Sequence, residues 1–284
     1  MSFEKVSTIL KLADAQNTSA MAFNCTDYNM VYSVIQVAEE LKKPAIIMLY
    51  PDHCRETNTT CPAEFAAMVR YLAAQVNVPI GLHLDHCSDY DYIVGAIRDG
   101  FTSVMIDGSM LSVDENITIT KKVVETAKIF DVDVEAELGH VGFAENQKDQ
   151  NNLDLYTKAE TAKRFCEETD ASSIAVAIGS AHGFYTKTPK LDLDRLEEIN
   201  QATNTPLVLH GGSGIPDDQL EIAFKKGINK FNVGTEFLKL NYDSMREYCE
   251  VNKDKGSTFE ASIYIQDLLM SYLRDKMSLS KMTI

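Results

Sequence analysis

Positive charge is scarce in this chain, which carries 27 Lys and Arg against 42 Asp and Glu, a formal net charge of −15. That deficit argues against nucleic acid or an anionic membrane as a partner. An anionic small molecule would have to be held locally, by a metal, by backbone amides or by a few basic side chains. No apolar run approaches the roughly 18 residues that a membrane span needs. The six cysteines contain no C-x-x-C pair, and the opening Met1-Ser-Phe-Glu-Lys5 has no apolar h-region. The expectation is a cytoplasmic protein with reduced thiols. No linker-like break divides the 284 residues, a normal length for one α/β barrel with a sizeable core.

Short β-rich segments recur with helical stretches between them. They are Ala20–Asn24, Pro44–Tyr50, Pro79–Asp85, Ser103–Asp107, Val132–Leu138, Ser173–Ile178, Pro206–His210 and Lys230–Gly234. Most are continuous apolar runs, which suits parallel strands covered on both faces. Between them, Met30–Leu41 places apolar residues at 31, 34, 35, 38 and 41, close to a 3.6-residue period. Ala63–Ala74 and Asp217–Lys226 behave alike, and Asp217 and Asp218 follow Pro216, where the helix dipole favours anions. The alternation predicts a single (β/α)8 TIM barrel over residues 1–284, with an open doubly wound sheet as the structural rival. Residues 236–284 read as a C-terminal helical extension, its second helix being Phe259–Met270, packed on the barrel or on a second subunit.

Several strand ends carry groups capable of chemistry. His86, His182 and His210 each sit at or just beyond the carboxyl end of a strand, and such ends converge at a barrel mouth. Three imidazoles with one open position describe a catalytic zinc site. Taken singly, each is equally a hydrogen-bonded core or rim residue. Alternation points His83 and His86 to opposite faces, and the strand-end position favours His86 as ligand. Asp85 between them suits a proton shuttle, a ligand-orienting group or a helix cap, with Ser88 and Asp89 signalling a helix start nearby. Asp107 and Glu137 read as orienting carboxylates, as ligands at an alternative metal position, or as rim salt-bridge partners. The polar stretch Glu145–Asn152 is either a lid over the strand ends or an inert loop.

Two loops suit an anion. Gly211-Gly-Ser-Gly214 follows strand seven and Asn232-Val-Gly-Thr235 ends strand eight, the frequent phosphate cradle of this architecture. Glycine lets the backbone approach closely, and Ser213 and Thr235 add hydroxyl donors.

Taken together, the stretches Ala22-Phe-Asn24, His83-Leu-Asp-His86, Val104-Met-Ile-Asp-Gly-Ser109, Val134-Glu-Ala-Glu-Leu-Gly139, Ala177-Ile-Gly-Ser-Ala-His-Gly183, Pro189-Lys-Leu-Asp-Leu-Asp194, Leu209–Pro216 and Lys230–Thr235 resemble the class II, metal-dependent ketose-bisphosphate aldolases. The resemblance covers about residues 1–240. It implies reversible cleavage of a ketose 1,6-bisphosphate, fructose- or tagatose-type, into dihydroxyacetone phosphate and glyceraldehyde 3-phosphate. By the same likeness, His86, His182 and His210 would ligate one zinc ion per subunit, which stabilises the enediolate. Asp85 would transfer the proton, and Glu145 would exchange the proton on the ketone-phosphate carbon. Asn24, Gly183, Gly211, Gly212, Ser213, Asn232, Val233, Gly234 and Thr235 would hold the phosphate-bearing half. A monovalent cation such as Na+ or K+ near that phosphate, and a homodimer or homotetramer, are implied as well.

Departures from the family pattern fall on the distal half of the substrate. Gly234 stands where fructose-cleaving relatives often carry Asp and tagatose-cleaving ones a small residue. The family's Asp-Pro-Arg segment, whose arginine grips the distal phosphate, has no clear match after residue 240. Arg246 and Arg274 are the nearest guanidiniums. An aldolase for a ketose 1-phosphate with another distal group therefore stays open, as does a sugar-phosphate-binding relative without turnover. A lysine Schiff-base aldolase needs a buried lysine near a strand's carboxyl end, whereas Lys230 is expected to open strand eight. A metal-dependent hydrolase barrel needs His-x-His on strand one, which is absent.

Overall fold

A computed structural model describes residues 2–55, 61–144, 155–185 and 187–284. In chain order its elements begin with α1 (Val6–Ala15), β1 (Ala20–Asn24), α2 (Tyr28–Leu41), β2 (Ala45–Leu49), α3 (Pro51–Arg55) and α4 (Pro62–Ala73). They continue with β3 (Ile80–Cys87), α5 (Tyr90–Asp99), β4 (Ser103–Ile106), α6 (Val113–Ile129), β5 (Asp133–Leu138) and α7 (Ala159–Thr169). The rest are β6 (Ser173–Val176), α8 (Leu193–Ala202), β7 (Leu207–Leu209), α9 (Asp217–Lys225), β8 (Ile228–Val233), α10 (Thr235–Val251) and α11 (Thr258–Ser278). The strands pair in parallel as β1 through β8, and β8 pairs back onto β1. The expected eight-stranded closed barrel is the observed fold. The doubly wound alternative is excluded.

Burial explains why these segments are strands. Every residue of β1, β2, β4, β5, β6, β7 and β8 is buried, so each strand needs apolar or paired groups on both faces. The helices start where their caps are. Asp27 accepts the Met30 N–H, and Asp89 accepts those of Asp91 and Tyr92. Ser112 and Glu115 form a reciprocal capping box on α6. Asp89 therefore caps α5, which leaves Asp85 free of that role.

The barrel interior is layered along its axis. At the amino-terminal end, Val6, Ile9, Leu10 and Ala13 of α1 pack with Ala20, Ala22, Ile46, Met48 and Met282 into an apolar plug. The plug keeps water out from below, so the interior opens only at the carboxyl ends of the strands. Among the described residues, no helix is long and apolar enough to cross a membrane.

Strand eight begins earlier than the sequence suggests. It starts at Ile228, where Gly227-Ile-Asn reads as the end of a turn, and its register against β7 shifts between Leu207 and Val208. Asn229 Oδ1 accepts the Leu207 N–H at 3.0 Å, a side chain standing in for a ladder carbonyl. Lys230 therefore lies inside the strand, not at its opening.

The last helix completes the outer ring. Ile265, Leu269, Leu273 and Met277 form its buried stripe, and α11 packs on α2 and α10. Arg274 forks onto Glu40 at 2.9 Å, and Gln266 donates to Asn29 at 2.9 Å. Because Leu269 is fully buried, Leu269→Ala is expected to lower the unfolding free energy by about 2–5 kcal/mol. Urea denaturation at fixed protein concentration measures it; a loss within about 0.5 kcal/mol would mean α11 is not part of the cooperative core.

Candidate active site

Charged residues inside a barrel must find partners, and here they find one another. On β5, Glu135 and Glu137 are two apart and share the inward face. Glu135 is fully buried, accepting from Lys230 Nζ at 2.9 Å and from His210 Nε2 at 2.9 Å. His83 lies 3.8 Å from the same carboxylate and hydrogen-bonds Ser103 Oγ at 2.8 Å. This ionic layer sits above the apolar plug and beneath the mouth. Its partners come from β3, β4, β5, β8 and the end of β7.

Above it three imidazoles converge. Ring centroids of His86 and His210 are 4.5 Å apart, His86 and His182 4.8 Å, and His182 and His210 5.9 Å. One nitrogen from each histidine and one oxygen of Glu137 lie within 4.8 Å of one another. His182 is anchored by its backbone, whose N–H donates to the Gly142 carbonyl while its own carbonyl accepts from Ala144 N–H, both at 2.8 Å.

The route by which His86 joins this group departs from simple alternation. The register of β3 against β4 shifts between Leu84 and Cys87, and His86 adopts a left-handed φ of +42°. A regular strand would turn His86 away from the interior that His83 and Asp85 face. The bulge turns it back, so the expectation of opposite faces for His83 and His86 is corrected. Asp107 Oδ2 lies 3.0 Å from His86 Nδ1, and Asp107 Oδ1 accepts from the Ser109 hydroxyl at 2.7 Å. Asp107 thus orients the ring of His86 from outside the four-residue cluster.

The cluster is built for a cation. His210 Nδ1 and Glu137 Oε2 are buried and face each other at 3.2 Å, with no well-aligned hydrogen-bond partner among the described residues. With Nε2 turned to Glu135, Nδ1 is the nitrogen of His210 that points into the cluster. Burial, reinforced by His86 and His210, lowers the His182 pKa to about 3, which keeps its imidazole in the neutral, ligating form. Imidazole nitrogen with one carboxylate oxygen is a donor set that suits Zn2+.

Asp85 stands beside the histidines, clamped by two amides. Asn24 Nδ2 donates to one carboxylate oxygen at 2.8 Å, and Asn232 Nδ2 to the other at 3.3 Å. Burial alone would raise its pKa, but the positive charges of His86, His210 and Lys230 outweigh that and bring it to about 2. Asp85 is therefore ionised at neutral pH.

The two glycine-bearing loops border the same cavity of about 1350 Å3, which Asn24, Asp85, His86, Glu137, His182, Gly183, Gly211, Gly212, Ser213, Asn232, Gly234 and Thr235 line. Gly211 has φ +65°, and a Cβ there would strike the Ala181 carbonyl. A Cβ on Gly234 would sit 2.7 Å from Asn24 Oδ1, pushing on the amide that holds Asp85. Helix α10 starts at Thr235, and its Glu236 N–H donates to Ser213 Oγ at 3.2 Å, so the positive end of a 17-residue helix faces the loops. Val233 turns its side chain into the outer core, leaving only its backbone for the cradle. Glu145 lies outside the described residues.

A model of class II fructose-bisphosphate aldolases matches residues 4–281. The chain belongs to the class II fructose-bisphosphate aldolase family. Among solved structures, it is similar to the YdjI aldolase from Escherichia coli K12, with 29% identity and TM-score 0.87 over 99% of this chain and 98% of that one. A protein from Coccidioides immitis, assigned as a fructose-1,6-biphosphate aldolase, is 25% identical with TM-score 0.87, covering 98% and 96% of the two chains. Fructose-bisphosphate aldolase from Campylobacter jejuni, at 22% identity and TM-score 0.80 over 96% and 93%, shares the fold.

Within this aldolase family member, sequence reasoning passed over Glu135, Lys230 and His83 as a unit. The available signal was charge inside otherwise apolar buried runs, which demands pairing. Lys230 does not line the cavity; its ammonium is taken by Glu135. Lys230→Met should cost about 3–5 kcal/mol by leaving Glu135 an uncompensated buried charge. Adding Glu135→Gln should recover part of that loss in thermal or chemical unfolding. A single variant as stable as wild type would remove Lys230 from this role.

Proposed function

We propose that this chain catalyses the reversible, metal-dependent aldol cleavage of a ketose bearing a C1 phosphate, yielding dihydroxyacetone phosphate and an aldehyde. One observation carries the reading: three imidazoles and Glu137 converge in one cavity with Asp85 and two glycine-bearing loops. His86, His182 and His210, with Glu137 beside them, would hold one zinc ion per subunit. When bound, the ion supplies a Lewis acid that favours the electron pair released as the C3–C4 bond breaks. Asp85 takes the C4 hydroxyl proton in cleavage and returns it to the aldehyde oxygen in condensation. Glu145 exchanges the proton on the ketone-phosphate carbon.

The C1 phosphate lies between the two loops. Backbone N–H groups of Gly211, Gly212, Val233 and Gly234, with the Ser213 and Thr235 hydroxyls, donate to it, and the α10 dipole adds favourable potential. Asn24, Asn232 and Gly183 complete this half, with a monovalent cation such as Na+ or K+ beside the phosphate. Six free cysteines support a cytoplasmic setting. Exposed Tyr242, Met245, Phe259 and Ile263 on the last two helices support a homodimer or homotetramer.

Deuterium exchange into dihydroxyacetone phosphate, followed by NMR, tests the reading. Zinc-loaded protein should exchange the C3 proton, and chelator or His182→Ala should abolish it. Asp85→Asn should keep exchange yet slow bond cleavage by about 10²–10⁴-fold. Binding of dihydroxyacetone phosphate without exchange would instead favour a sugar-phosphate sensor.

A further inference from the structure

We propose that this site takes an uncharged aldehyde, so that the substrate is a ketose 1-phosphate whose distal end carries no phosphate. The proposal rests on the aldolase reading and concerns the wall facing the anion cradle. In a closed ring of eight strands, the loops after β3, β4 and β5 stand across the mouth from those after β7 and β8. A substrate held by its C1 phosphate at the cradle therefore extends toward them.

That far wall is apolar and acidic. Met110, Leu111 and Phe143 line it while remaining 78%, 49% and 62% exposed. Ile119, Val141 and Leu155 continue the apolar surface. At the neighbouring end of β2, the carboxylate of Asp52 accepts the Tyr50 hydroxyl at 2.8 Å, and both residues line the cavity.

Among the described residues, no lysine or arginine lines the cavity. Arg246 lies near Asp243 and Glu250, at 3.5 and 3.8 Å, and Arg274 forks onto Glu40. Both guanidiniums are thus engaged on helices outside the cavity lining. The nitrogen groups on the far side are the imidazoles of His53 and His140, weaker phosphate partners than a guanidinium fork. Among the described residues, a phosphate dianion here would lose water, meet no lysine or arginine and approach Asp52. A neutral chain has a smaller desolvation cost, is not repelled by Asp52, and covers exposed Met, Leu and Phe surface.

Condensation kinetics of the zinc-loaded full chain decide the matter. Dihydroxyacetone phosphate is offered with glyceraldehyde, propanal or glyceraldehyde 3-phosphate, and deuterium exchange is recorded on the same samples. The neutral aldehydes should have kcat/KM about tenfold or more above the phosphorylated one. Glyceraldehyde against propanal then tells whether hydroxyl groups or apolar contact dominate. Leu111→Lys should raise the phosphorylated-to-neutral ratio; an unchanged ratio would remove this wall from the distal site. Faster turnover of glyceraldehyde 3-phosphate, with exchange intact, overturns the neutral-aldehyde proposal alone. Absence of both exchange and condensation overturns the aldolase reading itself.

Discussion

A carboxylate with no exposure to water lies at the centre of this barrel, and the arrangement above it depends on how it is neutralised. Glu135 shares one oxygen with Lys230 and the other with His210, both at 2.9 Å. Taking such a group out of water costs several kcal/mol unless each lone pair is answered. The ammonium of Lys230 supplies the charge, and the imidazole of His210 supplies the second donor. The same contact fixes the orientation of His210: with Nε2 turned to Glu135 below, Nδ1 faces the cluster above. Electrostatic necessity in the core thereby becomes orientation at the mouth.

Strain makes the second contribution. A regular strand cannot present adjacent residues to one face, yet the proposed proton transfer and metal ligation both draw on groups from the end of β3. The register shift after Leu84 and the left-handed backbone at His86 resolve this, letting Asp85 and His86 face the same cavity. A non-glycine residue in that region costs on the order of 1–3 kcal/mol, and it persists because neighbours over-determine it. Here those neighbours are Asp107 on the ring and the Met105 sulfur against the His86 N–H. The clamp of Asn24 and Asn232 on Asp85 works alongside, drawing on β1 and β8, which are joined through the barrel seam.

Much of this was legible in the sequence for a physical reason. Strands covered on both faces are continuously apolar, so runs such as Ala45-Ile-Ile-Met-Leu49 declare themselves; His210 follows such a run directly, and His182 follows one after Gly179-Ser-Ala181. The glycine loops were legible because only close backbone approach or positive φ demands glycine there, as at Gly211. What stayed hidden depends on register between distant strands. Lys230 and Glu135 are 95 residues apart, and their pairing follows from closure and from the irregularity at Asn229. The bulge that turns His86 has no local signature, because Leu-Asp-His reads as ordinary alternation. Asp85 was open between capping and chemistry until Asp89 proved to cap α5.

Charge economy links the cradle to the wall facing it. A chain of net charge −15 can hold a phosphate without lysine or arginine when amide dipoles, hydroxyls and a helix terminus converge on one point. They do so after β7 and β8, where Ser213 and the start of α10 meet. That solution needs glycine backbone and a fixed helix. Across from it the lining includes Met110, Leu111 and Phe143 with Asp52 nearby, and no lysine or arginine among the described residues. On the proposed reading, anion recognition and apolar contact are segregated to opposite rims, with the histidines and Asp85 between them. Such an arrangement would grip a substrate by one charged end and leave the other to be chosen by shape and hydrophobic contact.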